Sequence, residues 1–321
     1  MRVAMMLEPQ EGLTYVDLLA VAHRAEELGF EGLYRSDHYS SVSAASGLGS
    51  TDAWATLAGL ARDTERLVLG TLVSPVTFRP AGNLAKVVAT VAEMAGPGPD
   101  GNARIHLGMG TGWLEAEHRQ HGFPFEDLAT RFDRLAEHLA AVTGLWDPDR
   151  GPYDQSGRFV ELRAAVFRPA PHPRPRIIVG GKGLRRTPAL AARHADELNG
   201  VMLSPADCTR QRAALAAACE AQGRDPAAVG YSLMTGCVVG STTAEFEARL
   251  RRHADRDGDG RPLAEIRADL SETWVLGDPE EAADRLGDLA GAGVEAVMLQ
   301  HLAPDDLEML DVVADEIRPR L

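Results

Sequence analysis

At 321 residues the chain is long enough for one α/β barrel with insertions, which takes about 250 residues, or for two small domains. Its composition, 45% hydrophobic and 25% charged, is that of an ordinary globular protein. The formal net charge of −14 argues against nucleic-acid or anionic-membrane partners, which need a positive face.

Short β-branched or Leu-rich runs alternate along the chain with amphipathic helical patterns. The predicted strands are Val3–Leu7, Gly32–Ser36, Leu67–Val73, Arg104–Gly108, Arg176–Val179, Glu197–Leu203, Val229–Val239 and Val294–Leu299. The first predicted helix, Tyr15–Leu28, carries Leu18, Leu19, Ala22, Ala25 and Leu28 at three- and four-residue spacing, with Gly29 as its C-cap. Others are predicted at Thr51–Arg62, Pro80–Met94, Leu128–Trp146, Thr187–His194, Asp207–Gln222 and Pro279–Gly291. Eight strands separated by helices imply a parallel sheet with crossover helices, and eight is the number that closes a (β/α)8 TIM barrel. The expected organisation is one domain over residues 1–321.

Two segments break the alternation. Residues 147–176, rich in Pro, Gly, Asp and Arg, read as a loop or small hairpin insertion. Residues 242–274 contain Asp255-Arg256-Asp257-Gly258-Asp259-Gly260, which invites a calcium-loop reading. Counting on from Gly260 calls for an acid at 266, but Ile266 stands there and Glu265 comes one residue early. This stretch is expected to be a mobile acidic loop, and no metal site is expected. Cys208, Cys219 and Cys237 are too far apart for a metal-binding pair and read as reduced thiols of a cytoplasmic protein. No run reaches the roughly 18 apolar residues of a membrane span, and the first residues are too short for a signal peptide.

In a barrel of this kind the chemistry sits where the strands end. The first strand runs into Glu8-Pro9, the second into Ser36-Asp37-His38-Tyr39, the third into Leu72-Val73-Ser74-Pro75 and the eighth into Gln300-His301. The fourth ends in Gly108-Met109-Gly110-Thr111-Gly112-Trp113, an elbow where backbone can approach a ligand because no Cβ intervenes. A dinucleotide fingerprint is G-x-G-x-x-G in an opening βα unit; here the spacing is G-x-G-x-G, after the fourth strand. The fifth strand ends in Gly180-Gly181-Lys182-Gly183 just before a helix, a turn whose N–H groups suit a phosphate. Glu115, Glu117 and His118 read as a solvated or salt-bridged helix face.

Six pieces in this order carry a family resemblance: residues 25–38, 64–79, 107–118, 131–135, 175–187 and 277–286. From end to end the chain resembles the bacterial luciferase-like monooxygenase superfamily, and within it the branch of coenzyme F420-dependent (deazaflavin) oxidoreductases. The resemblance implies that Asp37 and His38 face the redox ring, with His38 as acid, base or substrate anchor. It implies a non-proline cis peptide at Leu72–Val73 propping the ring, with Gly110, Thr111 and Gly112 forming one wall. It also implies the cofactor's phosphate at Gly180, Gly181, Lys182 and Gly183. The sugar-phosphate dehydrogenases of the branch carry a catalytic Glu directly after the Gly-Thr-Gly; here Trp113 occupies that position, an apolar wall that speaks against sugar-phosphate chemistry.

The expected function is an oxidoreductase using reduced F420 for hydride transfer to or from a small organic substrate, fed by a separate reductase and working as a homodimer. The rivals are an FMN-dependent monooxygenase of the same superfamily, a non-redox barrel enzyme with a phosphorylated substrate at Gly180–Gly183, and a non-catalytic cofactor-binding protein. Loops 39–49 and 147–176 are expected to shape the substrate pocket.

Overall fold

A computed structural model describes residues 1–42 and 47–321, with Asp257 described by its backbone alone. Among the described residues the strands are β1 (Arg2–Leu7), β2 (Gly32–Arg35), β3 (Val68–Pro75), β4 (Ile105–Gly110), β5 (Tyr153–Ser156), β6 (Glu161–Ala165), β7 (Arg176–Gly180), β8 (Glu197–Val201), β9 (Gly230–Val239), β10 (Val275–Gly277) and β11 (Ala296–Gln300). Eight of them pair in parallel in the order β1-β2-β3-β4-β7-β8-β9-β11, and β11 returns to β1 to close the barrel. The predicted (β/α)8 TIM barrel is therefore the fold, and each of its eight strands overlaps a predicted run.

The helices between the strands are α1 (Tyr15–Glu27), α2 (Ala53–Asp63), α3 (Ala81–Ala95), α4 (Glu115–His121), α5 (Leu128–Trp146), α6 (Arg186–His194), α7 (Pro205–Ala221), α8 (Thr243–Asp257), α9 (Leu263–Ser271), α10 (Pro279–Gly291) and α11 (Glu308–Asp311). Their starts follow capping chemistry: Thr14 and Asp278 each form a reciprocal capping box, with Asp17 and Glu281 as partners. Strand alternation divides the core into two layers. In β1, Val3, Met5 and Leu7 pack outward against helices, while Ala4 and Met6 join Tyr34, Leu72, Ile178, Met234 and Met298 inside the barrel. No helix among the described residues is long and apolar enough to cross a membrane.

Two expectations are corrected. The stretch 242–274 is not an acidic loop: it folds as α8 and α9, joined by a short turn at Gly258 with φ +70°. Phe246, Leu250 and Ala254 repeat every four residues and pack with Ile266, a stripe that the surrounding Asp and Arg obscure. The Asp257 side chain lies outside the described residues. The glycine elbow also starts later than expected, because β4 runs on to Gly110 beside a β3 that bulges between Thr71 and Ser74. Residues 147–176 contain the antiparallel β5–β6 hairpin.

Candidate active site

The strand ends surround a cavity of about 990 Å³ at the C-terminal mouth of the barrel. Its walls include His38, Leu72, Val73, Gly110, Thr111, Gly112, Trp113, Gly180, Gly181 and Lys182, so the sequence-derived candidates converge. Asp37 and Gly183 do not line it. Asp37, expected to face the ring, is 1% exposed and turns away from the cavity. Its carboxylate accepts hydrogen bonds from Ser74 Oγ and Arg79, each at 2.6 Å, and Arg79 reaches on to Asp52. The residue is a strut between β2 and β3. Of the loop 39–49, residues 43–46 lie outside the described residues.

The glycines of the elbow have a packing cause. The Leu72–Val73 peptide is cis, and Val73 projects toward β4 and β7. A Cβ at Gly110 would lie 2.5 Å from Val73 Cγ2, one at Gly180 2.7 Å from its Cγ1, and one at Gly108 2.2 Å from the Thr71 carbonyl oxygen. These positions are glycine because the β3 bulge already fills the space a side chain would need. The bulge and the glycines are one device, and Leu72 and Val73 face the cavity from it.

His38 stands on the cavity wall in a defined hydrogen-bond network. Its Nδ1 lies 2.9 Å from Oε2 of Glu117 on α4, and the other carboxylate oxygen accepts the backbone N–H groups of Tyr39 and Ser40. A carboxylate only accepts, so Nδ1 carries the proton and Nε2 remains the ring's free acceptor. Burial works against charge on His38, but the hydrogen bond and charge of Glu117 outweigh it and raise its pKa. Burial likewise pushes against ionised Glu117; His38 and the two backbone donors reverse this and lower its pKa. Trp113 meets the His38 ring edge-on at 5.8 Å and stands 59% exposed at the mouth.

Glu117 is thus the site residue that sequence reasoning missed. The sequence groups it with Glu115 and His118 on a solvated or salt-bridged face, but Glu117 and His118 are both fully buried. His118 is held by Thr77 Oγ1 at 2.6 Å and the Leu114 carbonyl at 2.8 Å. Only Glu115 keeps the expected place, exposed and paired with Arg119. The available signal was spacing: Leu114, Glu117 and His118 share the helix face that meets the strand ends.

Two further polar features complete the walls. Asn199 on β8 donates to Ser232 Oγ at 2.8 Å, and Ser232 in turn donates to Glu197, which fixes the amide orientation. Among the described residues Asn199 Oδ1 is left as a buried acceptor without a partner. At the glycine turn, buried Gln211 binds the carbonyls of Gly181 at 2.8 Å and Gly183 at 3.2 Å. That pins the turn with its carbonyls inward, just before an α6 whose start has no side-chain cap. Among the described residues no group of His, Cys, Asp and Glu could hold a metal ion.

A family model described as luciferase-like monooxygenase matches residues 1–296. An F420-dependent glucose-6-phosphate dehydrogenase of Microbacterium testaceum is 33% identical over an alignment covering 56% of this chain and 51% of that protein. An F420-dependent hydroxymycolic acid dehydrogenase of Mycobacterium tuberculosis is 28% identical across 95% of this chain and 84% of its own. Among solved structures, an F420-dependent secondary alcohol dehydrogenase in complex with an F420-acetone adduct superposes with a TM-score of 0.83. That match covers 99% of this chain and 98% of the other at 20% identity, a likeness of fold.

Proposed function

Because this chain belongs to the luciferase-like monooxygenase family, a family of oxidoreductases, we propose that it is a coenzyme F420-dependent oxidoreductase acting on a small organic substrate. The observation that carries the reading is the His38–Glu117 pair on the wall of a cavity backed by the Val73 bulge. The relatives named F420-dependent dehydrogenases, one aligned over nearly the whole chain, favour the deazaflavin over FMN.

The cavity suits such a coenzyme. Leu72, Val73, Val201, Met202 and Met234 give it an apolar bed, and the orphaned Asn199 Oδ1 awaits an N–H donor. Lys182 and the uncapped first turn of α6 offer a charge and N–H groups for a phosphate, the Gly181 N–H itself being taken by the Asn199 carbonyl at 3.0 Å. Bound there, a deazaflavin supplies a carbon that gives or takes hydride and reacts little with oxygen, whereas reduced FMN activates oxygen.

The protein's own part is the proton and the exclusion of water. With Nδ1 tied to Glu117, neutral His38 accepts a substrate hydroxyl proton at Nε2, and protonated His38 returns one to a carbonyl. Trp113 walls the substrate side, and with no Glu in its place a sugar phosphate is not the proposed substrate. The same reading makes the protein a cytoplasmic homodimer that draws reduced coenzyme from a separate reductase.

The rival is the FMN-dependent monooxygenase, which the family description itself favours. Mixing the protein anaerobically with reduced F420 and a panel of ketones, enones and imines tests the choice. Coenzyme oxidation without oxygen supports the proposal. Turnover only with reduced FMN and oxygen supports the rival, and tight binding without any turnover supports a non-catalytic role.

A further inference from the structure

A second chamber of about 390 Å³ adjoins the main cavity between helix α8 and the segment after β11. The two share Glu8, Glu11, Arg256 and Leu302 on their walls. His301 lines the smaller chamber, is 1% exposed, and has no hydrogen-bond partner at either ring nitrogen among the described residues. Burial pushes its pKa down to about 4, so the ring is neutral, one nitrogen a donor and the other an acceptor.

Two of the three arginines of this chamber are paired with its aspartates. Arg249 binds Asp306 through two hydrogen bonds of 2.7 and 3.1 Å, and Arg252 binds Asp305 at 2.6 and 2.5 Å. Arg256 donates to the Leu302 carbonyl and to His253. Glu8, Glu11 and Asp17 add negative charge to the same wall, which disfavours a carboxylate or phosphate. Leu13, Val238, Ala303 and Met309 make the remaining surface apolar.

We infer that this chamber is a subsite for the far end of the substrate, taking an uncharged aliphatic chain whose hydroxyl group hydrogen-bonds to His301. A hydroxyl is at once donor and acceptor, the complement of a neutral imidazole left without partners. The inference rests on reading the larger cavity as the oxidoreductase site, which would hold the reacting end of the same molecule.

The test is calorimetric titration with hexanol, with hexanoate and hexylamine as charged comparators, alongside F420 titration of the same proteins. Wild type should bind hexanol better than either ion. His301→Leu should weaken hexanol about tenfold, the loss of one hydrogen bond to a buried group, and leave F420 affinity unchanged. Ala303→Trp, which fills the chamber and keeps His301 in the sequence, should abolish hexanol binding and decides the matter if His301→Leu does not fold. Equal hexanol affinity in all three proteins, or a preference for either ion, overturns the subsite. Hexanol binding that depends on His301 in a protein that ignores F420 would keep the subsite and sink the coenzyme reading instead.

Discussion

His38 Nδ1 and Glu117 Oε2 stand 2.9 Å apart, joining the end of β2 to the buried face of α4. The pair makes an imidazole at the mouth of the barrel both oriented and more basic than usual. A sequence reading picks out His38 at its strand end and passes over Glu117, whose partner only the fold supplies.

Glu117→Gln keeps the shape and most hydrogen bonds of the carboxylate but removes its charge. The raised pKa of His38 then falls. In a pH profile of kcat/KM for carbonyl reduction, the limb that requires protonated His38 should move to lower pH. Activity at neutral pH should drop by about 10–100-fold, within the range of general acid–base catalysis. A profile that keeps its midpoint would show that Glu117 does not set the basicity of His38.

The same pair gives stability a pH window. His38, its folded pKa raised above 6.5, contributes fully below that value and loses the contribution as pH rises through the folded pKa. Glu117, its folded pKa lowered below 4.5, contributes above that value and loses the contribution as pH falls through the folded pKa. The Tm difference between wild type and Glu117→Gln should therefore be largest between pH 4.5 and 6.5 and shrink on either side. Thermal melts across pH 3 to 9, roughly the span in which carboxylates and imidazoles titrate, check this.

Two glycine substitutions should act with opposite sign. Gly110→Ala drives a methyl to 2.5 Å from Val73 Cγ2, so it should cost about 1–3 kcal/mol and weaken F420 by displacing the bulge. Gly82→Ala in α3 meets nothing nearer than Leu162 Cδ2 at 4.0 Å and should gain about 0.4–1 kcal/mol with coenzyme affinity unchanged. Denaturant unfolding and coenzyme titration of both variants read the two effects.

Lys182→Ala removes an exposed charge at the glycine turn. The expected loss is up to about fivefold in F420 affinity, the scale of an exposed ion pair, and it should fade as salt rises. The phosphate-free deazaflavin nucleoside should bind both proteins alike. Equal losses for both ligands would place the lysine elsewhere in the site.

The barrel was legible because its strands are continuous apolar runs bounded by turn residues, and six of the seven predicted helices, all but α7, show the amphipathic period. Helix α8 was not: its apolar stripe of Phe246, Leu250 and Ala254 is thin, and the Asp-Gly sequence at its end reads as a turn. His38 and the glycine turn were legible as strand ends, whereas Leu72 and Val73 read as core and were marked out only by the family resemblance. Glu117 was not, because an acid buried by its partner looks like a solvated one until the partner is placed. The elbow glycines have a packing reason that the sequence does not show. Gly110 clears the way for Val73 as well as lining the cavity, a relation between β3 and β4 that only the bulged register reveals.

The central claim is that the barrel mouth holds a deazaflavin in front of His38, and the most direct measurement is equilibrium titration of the protein with F420 and, separately, with FMN. Micromolar binding of F420, weakened in Gly110→Ala, and no measurable binding of FMN are expected. Micromolar binding of FMN with none of F420 would contradict the claim.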